Sequence, residues 1–238
     1  MTKDGVSDFY NDFAARQLKI GANERLISLY KRALQLGLQP DSNVLELGCG
    51  VGLFTKLLSK KVKIGTIEAV DISDKSIEIA KSHLKQKSVQ FFVGDVVRYE
   101  PKVKDIHLIT LLDVIEHIPL TEHELLFQNL STSFSDETLL LINIPNPQYI
   151  EYGHKHHPEK MQVIDQAVEL FPLMHHLEKA NLEIIYFEKY GIWEKEDYHV
   201  LVIRKKRPFK LQHLSDSKDL KTKAIDKVKR KVDNLKYR

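Results

Sequence analysis

Apolar positions recur along this chain in two rhythms. Phe9, Tyr10, Phe13 and Ala14 have helical spacing, as do Leu26, Ile27, Leu29, Tyr30, Ala33 and Leu34, which predicts two helices between Ser7 and Leu36. Gly37 closes the second, and Pro40 follows. The short run Val44–Leu47 then meets glycines at alternate positions, Gly48, Gly50 and Gly52, before the helix-period residues Leu53, Leu57 and Leu58. That pattern predicts a buried strand, a tight turn and a helix start. Further strands are expected at Ile64–Asp71, Val89–Val93, Ile106–Leu112, Leu139–Ile144, Glu183–Glu188 and His199–Ile203. Helices are expected at Lys75–Gln86, capped by Ser73, and from about Val163 to Ala180 with an interruption near Pro172. Alternating strands and helices argue for an α/β fold with a doubly wound, mainly parallel sheet.

The chemistry of the glycine turn narrows the ligand. Glycines there allow backbone angles that side chains forbid and let a ligand approach the main chain. Amides of the next helix's first turn then face that ligand. The dinucleotide spacing Gly-x-Gly-x-x-Gly is not met, since Leu53 follows Gly52, and no Gly-Lys-Ser/Thr follows to cradle a nucleotide triphosphate. Glu46 sits just before the turn, where it repels phosphates and suits a ligand carrying positive charge.

Glu46-x-Gly48-x-Gly50-x-Gly52 after a strand resembles the first motif of the class I S-adenosylmethionine-dependent methyltransferases, whose cofactor bears an ammonium and a sulfonium. Asp71 ends the second strand about 20 residues on, the separation that brings a carboxylate to a ribose diol. A carboxylate accepts hydrogen bonds from both hydroxyls. The resemblance assigns Ile72 alongside Asp71 to the cofactor, Asp95 to the adenine amine, Val96 to the ring and Asp113 to the same cleft. It covers about Val44 to Arg204 and implies seven strands, the last inserted antiparallel. It also implies that the N-terminal helices lie over the cofactor mouth. All these residues fall at strand ends, where open α/β sheets bind ligands.

Asp113-Val114-Ile115-Glu116-His117 carries the reactive candidates. On a helical turn, Asp113, Glu116 and His117 would share one face. A second polar cluster, expected to form a loop, holds Tyr149, Glu151, Tyr152, His154, Lys155, His156 and His157. Three readings follow. His117 or a downstream histidine is a general base that removes an acceptor proton, with Glu116, His154 and His157 as the companion candidates. Alternatively, Asp113, Glu116, His117 and one of His154, His156 or His157 hold a divalent metal, as resemblance to small-RNA 2′-O-methyltransferases implies, with aspartate in place of that family's glutamate. Or the cluster is structural, hydrogen-bonded to neighbouring backbone.

Composition adds an asymmetry. From Arg204 to Arg238 there are 14 Lys and Arg against four Asp, while the preceding residues carry 22 basic against 29 acidic side chains. Residues Ile225, Val228, Val232 and Leu235 mark a basic amphipathic helix, suited to an anionic membrane surface, a like helix or nucleic acid. The chain therefore reads as an N-terminal helical cap (1–40), a methyltransferase domain (41–207) and a basic tail (208–238). One cysteine, Cys49, excludes a disulfide framework, and no apolar run approaches the roughly 20 residues of a membrane span. A cytoplasmic protein is expected, with peripheral membrane contact through the tail.

The expected activity is O-methylation of a small polar metabolite or a surface-glycan sugar. The glycan expectation, and with it polysaccharide biosynthesis, rests on resemblance of the Asp113–Pro119 and Asn143–Pro147 segments to methyltransferases of glycan assembly. An RNA 2′-O-methyltransferase and a non-catalytic cofactor-fold module are the alternatives.

Overall fold

The computed structural model describes residues 21–161, 165–209 and 211. The chain divides into two units, Met1–Lys206 and Arg207–Arg238, and the description below concerns the first. The expected first helix around Phe9 and the basic amphipathic stretch lie outside the described residues.

Seven strands form one sheet: β1 Val44–Leu47, β2 Ile67–Asp71, β3 Val89–Val93, β4 Leu108–Leu112, β5 Leu139–Pro145, β6 Leu182–Tyr190 and β7 Tyr198–Lys205. Their spatial order is β3-β2-β1-β4-β5-β7-β6. The first five pair in parallel, and β7 is antiparallel to both β5 and β6. Order reverses beside β1, so a crevice opens at the carboxyl ends of β1 and β4, the topological switch point.

Helices cover both faces: α1 Glu24–Gln35, α2 Leu53–Lys61, α3 Asp74–His83, α4 His123–Ser131, α5 Pro147–His156 and α6 Leu170–Lys179. Successive strand residues point to opposite faces, which is why the central strands read as continuous apolar runs. Leu45 and Ile109 pack with Phe127 of α4 and Leu177 of α6. Val44 and Leu108 pack on the other side, with Leu29 of α1 and Leu58 of α2. Each such burial contributes about 2 kcal/mol. The N-terminal helix is therefore part of the core rather than an appendage. Asn23 caps α1 by accepting from the Leu26 amide at 3.0 Å, and Ser73 caps α3 by accepting from Ser76 at 3.0 Å.

Several expectations change. The second strand begins at Ile67, because the amides of Lys63, Ile64 and Gly65 all converge on the Pro40 carbonyl instead of on a neighbouring strand. The helix expected from Val163 starts at Leu170, and Pro172 does not interrupt it. In the first turn a proline removes an amide that has no intrahelical acceptor anyway. The histidine-rich stretch is a helix, α5, with Asn146 as its cap and Pro147 at its first position. Helix α4 has no counterpart in the elements expected from the pattern. Asp113 is not in a helical turn: its φ of 56° is left-handed, and the 3₁₀ turn that follows spans Ile115–His117.

Candidate active site

The glycine turn closes on itself and on its neighbours. Gly48, Gly50 and Gly52 have φ of 78°, 51° and 77°, the left-handed region that side chains disfavour. The Gly48 and Cys49 amides donate to the Val70 carbonyl at 2.8 and 2.9 Å. Asp71 accepts from the Gly50 amide at 2.7 Å and from the Ser73 amide at 2.9 Å. The tip of β2 thus fixes the shape of the turn beyond β1. His83 of α3 holds the same turn from behind, its Nε2 donating to the Val51 carbonyl at 2.6 Å.

Glu46 is 3% exposed, and its Oε2 has no hydrogen-bond partner. Burial, helped by the nearby Asp71 charge, pushes its carboxyl up to about 8. Asp71 is raised by burial too, against the Ser73, Gly50 and Ile72 amides that favour its charged form. Ile72 follows it at the same strand end. Asp95, beyond β3, accepts from the Val97 amide at 3.1 Å and meets Arg98 at 3.3 Å, so it shapes the turn through Val96.

Beyond β4 a denser network forms. Asp113 pairs with Arg25 of α1 and accepts from the Asn143 side-chain amide at 2.8 Å. Asn143 in turn accepts from the Tyr190 hydroxyl at 2.6 Å. Arg25 also donates to the Tyr198 hydroxyl at 2.9 Å and lies over the rings of Tyr198 and Trp193. Burial opposes the Arg25 charge, but Asp113 and Tyr198 outweigh it, and its pKa is raised. Burial raises Asp113 in spite of Arg25, and raises Glu116 strongly with Asp113 as the second cause. Glu116 is 2% exposed with a partnerless Oε2, and that burial favours its neutral form.

His117 lies between two carboxyl groups, Glu116 at 4.0 Å from Nε2 and Asp165 at 3.5 Å from Nδ1. The downstream histidines stand elsewhere. His154 donates from Nε2 to the Asp165 carbonyl at 2.7 Å. His156 stacks on Tyr152, and His157 faces Tyr152 and Glu159. Among the described residues no three His, Cys, Asp or Glu side chains gather as a metal site. The donor set does not fit one either, because the Asp113 carboxylate already faces a guanidinium that would repel a cation.

Arg25, Asn143, Asp165, Tyr190 and Tyr198 were not among the site residues expected from sequence. Asn143 had a signal, a polar residue inside the apolar run of β5. The others come from distant segments and had none.

A family model described as a methyltransferase domain matches residues 15–187. The chain belongs to the class I S-adenosylmethionine-dependent methyltransferases. A malonyl-[acyl-carrier protein] O-methyltransferase of Ilyobacter polytropus is 29% identical over 108 residues, 45% of this chain and 34% of that protein. A ubiquinone biosynthesis O-methyltransferase of Coxiella burnetii is 32% identical over 79 residues, 32% of this chain and 33% of that protein. A small RNA 2′-O-methyltransferase of Arabidopsis thaliana is 25% identical over 145 residues, 57% of this chain and 15% of that protein. The chain thus spans about a third or less of the length of these relatives.

Two solved structures share the fold. Magnesium protoporphyrin IX methyltransferase of Synechocystis, with bound S-adenosylhomocysteine, has a TM-score of 0.68 at 15% identity, covering 86% of this chain and all of that one (100%). The methyltransferase domain of a bacterial Hen1 has a TM-score of 0.62 at 19% identity, covering 77% of this chain and 98% of that one. The methyltransferase's residues fit its cofactor: the glycine turn offers open backbone, and the buried, partnerless Glu46 oxygen awaits a cation. Among the described residues no helix is long and apolar enough to cross a membrane.

Proposed function

We propose that this methyltransferase transfers its methyl group to a hydroxyl of a small, uncharged polar acceptor, such as a sugar of a surface glycan. The observation that carries this reading is the balance of charge around His117. Arg25 is the cation that the described residues bring to the tip of β4, and Asp113 takes up its charge. Among the described residues, an acceptor carboxylate or phosphate there would face the Asp113 and Asp165 carboxylates with Arg25 already paired, and burying such a charge uncompensated is costly. A hydroxyl needs only hydrogen bonds and a base. Trp193, half exposed beside Tyr198, offers a ring face suited to the C–H side of a sugar.

S-adenosylmethionine supplies an electrophilic methyl and a thioether leaving group, which departs with the carbon–sulfur electron pair as the acceptor oxygen gains the methyl. The protein's task is to hold the hydroxyl in line and take its proton, and His117 is the residue for it.

Transfer of labelled methyl into neutral sugars and glycan fragments, quinone precursors, malonyl carrier protein and RNA tests the reading. Label in a sugar hydroxyl is the expected result. Label confined to a carboxylate or to RNA overturns it. The likeness to the Arabidopsis small RNA 2′-O-methyltransferase supports RNA 2′-O-methylation as the second reading.

A further inference from the structure

The turn between β6 and β7 is pinned at several points, and it presents a tryptophan. Asp197, 1% exposed, directs its carboxylate back into the turn. It accepts from the Ile192 amide at 2.9 Å, the Trp193 amide at 3.1 Å and the Glu194 amide at 3.2 Å. Three amides around one carboxylate offset the cost of burying its charge. Asn146, the cap of α5, holds the turn from the other side. Its backbone amide donates to the Asp197 carbonyl and its side chain to the Glu196 carbonyl, both at 2.8 Å. Tyr198, the first residue of β7, pairs with Pro145 at the carboxyl end of β5, so the turn stands at the cleft edge of the sheet.

Trp193 is nevertheless 57% exposed. Arg25 lies over its ring at 5.6 Å from the centroid, and Tyr198 makes a T-shaped contact at 5.8 Å between centroids. Because Arg25 also pairs with Asp113, the indole stands one side chain away from the tip of β4.

We propose that Trp193 is the platform on which a sugar ring of the acceptor stacks, and that Asp197 is the residue that positions it. This rests on the reading of the acceptor as a neutral hydroxyl compound. An indole face carries partial negative charge and the C–H face of a pyranose partial positive charge, so the two attract while the sugar's hydroxyls stay in water. An open ring suits such a ligand. A planar apolar acceptor would instead need a pocket that encloses most of its surface. A turn already ordered in the free protein also loses little entropy when the acceptor binds. An indole kept only to cover Arg25 could be replaced by any apolar side chain of similar bulk, which separates the two roles by experiment.

Trp193 is the chain's one tryptophan, so its emission reports on this ring alone. The full chain, saturated with S-adenosylhomocysteine, is titrated with the neutral sugar or glycan fragment that accepts label in the methyl-transfer screen. A saturable blue shift, as the sugar displaces water from the ring, is the expected result. An unchanged spectrum overturns the inference. In kinetics with the same acceptor, Trp193→Ala and Trp193→Leu should each raise KM at least about tenfold, with kcat and S-adenosylhomocysteine affinity unchanged. Trp193→Phe, which keeps a ring, should raise it less. A leucine variant with wild-type KM overturns the platform, because apolar bulk over Arg25 would then be enough. Asp197→Asn should raise KM and lower the emission anisotropy of Trp193 as the turn loosens. If either stays unchanged, Asp197 is not the positioning residue. If a sugar is labelled and the Trp193 variants keep their KM, only the platform fails. If label enters no sugar, the reading of the acceptor fails and the platform with it.

Discussion

Arg25 and Asp113 form an ion pair between α1 and the tip of β4, joining segments far apart in the sequence. The pair fixes an otherwise costly left-handed aspartate, and Asn143 and Tyr190 extend it to β5 and β6. It therefore ties the helix that covers the sheet to the edge of the active site.

Removing one partner leaves the other buried and uncompensated. Arg25→Met should cost about 3 kcal/mol of stability in chemical denaturation. Adding Asp113→Asn should return part of that loss, because the amide has no charge to strand. Equal stability of the single and double variants would show that the pair is not coupled.

Glu46 gives a pH signature. Its carboxyl is raised from an ordinary 4.5 to about 8 in the folded chain. The unfolded chain then releases this proton first, so the cofactor-free protein loses stability as pH rises from about 4.5 to about 8, by at most about 1.4 kcal/mol per unit. Glu46→Gln should remove that slope. Melting temperatures of wild type and variant should diverge toward pH 8 in favour of the variant, while its affinity for S-adenosylmethionine falls. Parallel melting curves across this range would mean the carboxyl is not perturbed.

Gly48→Ala should abolish cofactor binding and lower the melting temperature of the fold. A Cβ there would sit 2.2 Å from Cγ2 of Val114 in a backbone with φ of 78°. Either Val114, next to Asp113, or the turn itself has to shift to make room. Calorimetry with S-adenosylhomocysteine checks the first part and circular dichroism the second.

Phe127 of α4 is fully buried beneath the sheet. Phe127→Ala should cost about 3–5 kcal/mol, read as a lower denaturation midpoint, with cofactor affinity retained at temperatures where the variant stays folded.

The strands were legible because a two-faced parallel sheet turns each into a short apolar run, and Gly48-x-Gly50-x-Gly52 marks its turn with residues few other turns need. Boundaries set by tertiary contacts were not. Ile64 reads as strand, yet its amide goes to Pro40, and it is 81% exposed. The proposed cofactor side of the cleft follows local spacing, since Glu46, Asp71 and Asp95 each lie at or just beyond the end of their own strand. The proposed acceptor side draws on α1, β5, β6, β7 and the segment at Asp165, so Arg25, Tyr190 and Asp165 had no pattern to announce them. The histidines of α5 misled for the opposite reason: their clustering in sequence suggested one site, whereas a helix turns them to different neighbours.

Calorimetric titration of S-adenosylmethionine into the wild-type chain and into Asp71→Ala tests cofactor binding at this cleft most directly. Single-site binding by the wild type, weakened at least about tenfold in the variant, is the predicted result. Absence of binding by the folded wild type, or equal affinity in both, would contradict a cofactor seated between the glycine turn and the tip of β2.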